Sequence, residues 1–147
     1  MGDHTPISKE RLDGFESRQK AIRSNTLTFD NVKTYAETTG DYNPLHFDEN
    51  FAAKTKFEDL VVKGGLTSEI LNALVAMDMP GSGTVFMSQD LKSIAPMFIG
   101  DTISAEAEVL EAHATKPVTK LKMAITRQME ETVVEGEAWC YTFTPEE

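Results

Sequence analysis

Asp41 and His46 stand on either side of Asn43-Pro44 in the run TTGDYNPLHFDEN, residues 38–50. A carboxylate beside an imidazole can hold one water and move its protons in either direction. That chemistry suits adding water across a double bond, or removing it. On a continuous helix, side chains five residues apart would point away from each other. Bent around a proline, the two can converge on one small space. Metal binding is a second reading of the run. An EF-hand loop starting at Asp41 would have Asn43 at its third position, but Leu45 at the fifth, His46 for the obligatory glycine and Ala52 for the closing glutamate. That reading fails. The three histidines, at 4, 46 and 113, show no ligand spacing, and the single cysteine, Cys140, leaves no thiolate cluster to build. No metal is expected. A solvated turn is the third reading, because Asp, Asn and Pro favour turns for local reasons alone. The histidine sets this run apart from such a turn.

Gly64-Gly65 is the second place where chemistry could sit. It opens an apolar stretch with helical spacing, where backbone N–H groups are free and the dipole end is positive. A ligand oxygen can approach a glycine amide closely, and such a donor can stabilise an oxyanion. A plain loop-to-helix junction would have the same composition. Gly81-Ser82-Gly83 lacks a third glycine at Phe86, so it is no dinucleotide fingerprint. Cys140 lies in a strand pattern and reads as a small core residue rather than a nucleophile.

These residues need elements to position them. Phe29, Val32, Tyr35 and Ala36 recur at helical spacing across 28–40, with Thr28 as a cap and Gly40 suited to the left-handed residue that ends a helix. Asp41 therefore falls just past a helix terminus. Pro44 keeps Asn43 out of helix, so 41–46 is expected to be a stiff turn, with a short helical turn near 49–54. A strong helix over about 65–77 carries Leu66, Ile70, Leu74 and Met77 on one stripe, with Ala73 beside them, and ends at Pro80-Gly81. The second half changes period. Ile103, Ala105, Ala107 and Val109 alternate with polar residues, as do Leu121, Met123 and Ile125, and 84–94 and 133–143 are strand-like. An earlier strand is expected near 20–27. One helix followed by four strands in a meander is an α+β arrangement, an antiparallel sheet that covers its apolar face with the helix.

The chain has 147 residues, enough for one domain with a core of its own, expected over 15–147 behind a loose arm at 1–14. The net charge of −10, with no basic patch, opposes a nucleic-acid partner. No apolar run approaches the length of a membrane span, and the polar N-terminus lacks the apolar stretch of a signal peptide. A cytoplasmic protein is the expectation.

With these residues in view, the chain resembles the MaoC-like (R)-specific enoyl-CoA hydratases, a hot-dog-fold family. Gly40-Asp41-Tyr42-Asn43-Pro44-Leu45-His46, continued by Phe51-Ala52-Ala53, looks like the hydratase signature. Val61-Val62-Lys63-Gly64-Gly65-Leu66 resembles the entry to the family's central helix. Ala95-Pro96-Met97-Phe98-Ile99-Gly100-Asp101 resembles a further landmark between strands. The resemblance implies a long central helix wrapped by a curved antiparallel sheet, paired into a homodimer or higher homo-oligomer. It implies syn addition of water to a trans-2-enoyl-CoA, or the reverse dehydration, with no cofactor beyond the coenzyme A of the substrate. Asp41 and His46 would share the water, and the Gly64 N–H would polarise the thioester carbonyl. The resemblance does not divide base from acid between the pair. Asn43, Lys63, Gly65 and Asn72 are the expected substrate-binding residues. The family usually has histidine where this chain has Lys63, and some relatives carry serine where it has Asn72. A lysine beside the oxyanion donor could face a CoA phosphate or an acidic acyl group, or simply face solvent at the helix entrance. Two other functions fit a hot-dog fold: an acyl-CoA thioesterase, and a non-catalytic acyl-CoA-binding subunit. An acyl carrier protein is usually acidic and would be repelled by this chain, which favours CoA as the carrier.

Overall fold

The computed structural model describes residues 19–145. The arm expected at 1–14 lies outside them. The chain opens with β1 (Lys20–Thr26), where a strand was expected, and enters helix α1 (Phe29–Thr39). Thr28 and Asn31 form a reciprocal capping box at its start, and Gly40, at φ 80°, closes its end. Two short helices follow, α2 (Pro44–Phe47) and α3 (Glu49–Ala53). The stiff turn expected over 41–46 is thus half helical. Asn43 caps α2 with its side chain and Pro44 takes the first helical position, where a missing N–H costs nothing. The central helix α4 spans Gly64–Ala73 and runs on as a π-helical turn, Leu74–Asp78.

Four strands complete the chain: β2 (Thr84–Ser93), β3 (Thr102–Ala112), β4 (Val118–Arg127) and β5 (Glu131–Thr142). All pairs are antiparallel and the order is β1-β3-β4-β5-β2. The expected four-strand meander is corrected here. Only β3, β4 and β5 follow one another as neighbours, while β2 sits at the far edge beside β5. Strand alternation reports which face is buried but not which strand lies alongside, so β2 could not be placed from its pattern. Register shifts at Phe86/Ser88, Val109/Glu111 and Ile125/Thr126 are bulges of the kind that bend a sheet around its contents. The result is an α+β hot-dog fold, a helix held against one face of a five-stranded antiparallel sheet.

The alternation on β3 and β4 puts Ile103, Ala105, Ala107, Val109, Leu121, Met123 and Ile125 in the core, as expected. The helix stripe is rotated from the expected one. Thr67, Ile70, Leu71, Leu74 and Val75 are buried, whereas Leu66, Ala73 and Met77 are only partly so. The segment is apolar on most of its circumference, so spacing alone admits more than one stripe. The π-helical turn, closed by Met79 N–H to the Leu74 carbonyl at 3.0 Å, also shifts the register of its last residues.

Candidate active site

Asp41 emerges directly from the left-handed residue that ends α1. Its Oδ1 accepts the Asn43 N–H at 3.1 Å, and its Oδ2 lies 2.5 Å from Lys63 Nζ. The Lys63 ammonium bonded to it, and then the Asn43 N–H, hold its carboxyl below the usual carboxylate range. Partial desolvation opposes them, and the charges of Lys63 and His46 add a further downward pull. The Asn43 side chain is spent on the turn itself, since its Oδ1 accepts the Leu45 N–H at 3.0 Å. In this structure Asn43 shapes the site rather than reaching into it.

His46 is buried, 8% exposed, and Nδ1 meets the Val61 carbonyl at 2.6 Å. A carbonyl can only accept, so Nδ1 carries the proton and Nε2 of the neutral ring is left with a free lone pair. Val61 N–H donates back to the Leu45 carbonyl at 3.1 Å, so α2 and the strand-like segment before α4 are stitched together on both sides of the ring. The next residue, Val62, donates to the Met97 carbonyl at 2.6 Å, and Val61 bridges Phe98. These bonds draw all three sequence landmarks to one place. The third is held from behind by Arg127, which donates to the Pro96 carbonyl at 3.0 Å, pairs with Asp101 and Glu131, and lies over the Phe98 ring.

His46 and Gly64 line the same cavity of about 380 Å³, along with Phe57, Val62, Thr67 and Met97. It is mostly apolar with few polar groups, which suits an acyl chain. Gly64 is the first residue of α4, and Lys63 before it makes no side-chain cap to the N–H groups of the first turn. A side chain at Gly64 would meet nothing within 4 Å. Gly65 has another reason to be glycine. A Cβ there would lie 2.5 Å from the Tyr35 hydroxyl, so its bareness admits α1 rather than a ligand. Asn72 is exposed, donates to Glu69 at 2.8 Å and is not part of the cavity wall. Lys63 is absent from that wall as well; it turns to Asp41. Asp41 also stands outside the wall and is partly exposed. A larger groove, about 570 Å³, runs between β1, α1 and α4 but holds neither Asp41 nor His46, so the chemistry is assigned to the smaller cavity.

Spacing did not single out Val61 as the orienting acceptor for His46, nor Thr67, Phe57 and Tyr35 around the site. Tyr35 was read only as part of a helical stripe. Cys140 is wholly buried and burial pushes its thiol up to about 12, which suits a core residue and not a nucleophile. Among the described residues no three His, Cys, Asp or Glu side chains gather around a point where an ion could bind.

Known proteins resemble this chain over most of its length. A sequence model of the MaoC like domain matches residues 14–134. The chain is 37% identical over 123 residues to an (R)-specific enoyl-CoA hydratase of Aeromonas caviae, covering 84% of this chain and 92% of the relative. It is 35% identical over 118 residues to a 3-hydroxybutyryl-CoA dehydratase of Methylorubrum extorquens, covering 80% and 74%. The solved structure of an (R)-hydratase from A. caviae superposes with a TM-score of 0.84 at 35% identity, over 88% of this chain and 98% of that one. An unliganded R-hydratase from Pseudomonas aeruginosa gives 0.83 at 32% identity, over 92% and 86%. A carboxylate and an oriented histidine beside a helix-terminal glycine, on this sheet order and in this company, place the chain in a family: it belongs to the MaoC-like domain family.

Proposed function

We propose that the protein is a hydro-lyase that adds water to a trans-2-enoyl-CoA to give an (R)-3-hydroxyacyl-CoA, or runs the reverse dehydration. The observation that carries this reading is His46, its Nδ1–H fixed on Val61 and its ring lining an apolar cavity with Gly64, on the same short turn as the Asp41 carboxylate. Relatives named as enoyl-CoA hydratase and 3-hydroxybutyryl-CoA dehydratase support it. An ionised Asp41 and Nε2 of His46 are both acceptors, and two acceptors can grip the two hydrogens of one water. The water oxygen attacks the β-carbon, one acceptor takes its proton, and the same pair returns a proton to the α-carbon. The Gly64 N–H receives the thioester oxygen as enolate charge develops. H and OH are added and nothing is oxidised or reduced, so the balance calls for no cofactor beyond substrate and water.

The purified protein mixed with trans-2-butenoyl-CoA is expected to remove the enoyl absorbance, release no free thiol and yield the (R)-3-hydroxy product. Free thiol would indicate a thioesterase instead. Binding without turnover would indicate a non-catalytic acyl-CoA-binding subunit. Substrates of this kind also suit a cytoplasmic enzyme; no helix among the described residues is long and apolar enough to cross a membrane.

The reading includes a homodimer. Among the described residues β2 is an edge strand with no partner on its outer side, and Val85 and Met87 on it are 49% and 59% exposed. Bare apolar edges of this kind pair with another chain. Sedimentation is expected to give at least twice the 16.3 kDa chain mass, and Met87→Lys to shift the protein toward monomer. A wild-type monomer at assay concentration would remove this part of the reading.

A further inference from the structure

Lys63 stands at the N-terminus of α4. Its backbone is built into the helix, because its carbonyl accepts the Thr67 N–H at 3.1 Å. Its side chain is 24% exposed. Nζ lies 5.2 Å from the centroid of the Tyr35 ring, and the Tyr35 hydroxyl occupies the space left by Gly65. Asp41 is a second neighbour, with Oδ2 at 2.5 Å from Nζ. A long, flexible cation thus has an aromatic face on one side and a carboxylate on the other.

We propose that Lys63 is a positioning residue: rooted in α4 and steadied on Tyr35, it fixes the Asp41 carboxylate relative to His46 and to the Gly64 amide. The proposal rests on the hydratase reading and deepens it. It also reassigns Lys63, for which the expectation was a CoA phosphate, an acidic acyl group or open solvent. Asp41 sits just after a helix end, and its carboxylate is held to its own turn through Oδ1 and the Asn43 N–H. One hydrogen bond from a neighbouring residue leaves a carboxylate free to swing. The second, from Lys63, links it to the helix that carries Gly64. Each carboxylate oxygen has two acceptor sites, so one engaged donor on each still leaves room for a water.

Lys63 also has an electrostatic role. The titratable groups that act on Asp41 are Lys63 from α4 and His46 from α2, with the Tyr35 ring of α1 behind the ammonium. Lys63 contributes the largest of the effects that hold Asp41 low. With the cation removed, the Asp41 pKa rises. At any mildly acidic pH the ionised fraction then falls, and the acid limb of the rate profile moves toward neutral.

The test compares wild type, Lys63→Met and Lys63→Arg in the hydration of trans-2-butenoyl-CoA across pH. Lys63→Met is expected to lower kcat by about 10–100-fold, the scale of a misplaced catalytic group. KM is expected to stay within about twofold, since the lysine does not bind substrate. Its acid limb should move up, and Lys63→Arg should recover most of both effects. A wild-type kcat and an unmoved limb in Lys63→Met overturn the proposal. So does a rise in KM alone, which would make Lys63 a ligand-binding residue. A carboxyl-carbon NMR titration of Asp41 reads the same contact without turnover. Its midpoint is expected to rise in Lys63→Met, and an unchanged midpoint overturns the proposal. If wild type proves inactive, the hydratase reading fails while this titration still decides the role of the lysine.

Discussion

Asp41→Asn and His46→Ala are each expected to slow hydration of trans-2-butenoyl-CoA by about 10³-fold, the scale of a lost general acid or base. The two substitutions disable the water in different ways. Asparagine at 41 can keep the bond from the Asn43 N–H, but it offers Lys63 no negative charge and one oxygen in place of two. Alanine at 46 removes Nε2 and leaves the Val61 carbonyl without its donor. The fold should survive both. Thr28, Asn31 and Gly40 hold α1, and Asn43 and Pro44 hold α2, without either residue. Unchanged circular dichroism alongside the lost rate is therefore part of the expected result. His46→Gln, which can still donate to Val61, separates orientation from proton handling: it is expected to recover stability and not rate. Near-wild-type rates in both Asp41→Asn and His46→Ala would end the mechanism.

The largest expected loss of stability is at Leu71. Its side chain is fully buried on the face of α4 that meets the sheet. Leu71→Ala is expected to cost about 3 kcal/mol, transfer and cavity together. For a chain of this size that lowers Tm by about 6–12 °C. Leu66→Ala, on the partly exposed flank of the same helix, should cost clearly less. Urea unfolding of the two variants checks the rotated stripe directly. A larger loss in Leu66→Ala than in Leu71→Ala would mean that α4 packs as its spacing alone suggested.

That comparison marks how far the sequence could be read. The turn bearing Asp41 and His46 was legible because its causes are local. Thr28, Gly40, Asn43 and Pro44 act on backbone within a few residues of themselves. The strand faces were legible because alternation has only two phases. The stripe on α4 was not, because a helix apolar on most sides leaves the choice to what packs against it. The place of β2 depends on a crossover that its own residues do not encode. The roles of Lys63 and Gly65 depend on side chains far away in sequence, Asp41 and Tyr35, and no spacing rule connects them.

Arg127 reaches across from the end of β4 to hold the backbone of Pro96, while the next carbonyl, of Met97, is held by Val62. One wall of the cavity is thus main chain pinned at successive residues. Such a wall does not recede to admit a bulkier guest. What the cavity accepts is set by the side chains that project from it, so substrate range in this fold can be retuned by single substitutions on a fixed frame, without loops having to be rebuilt.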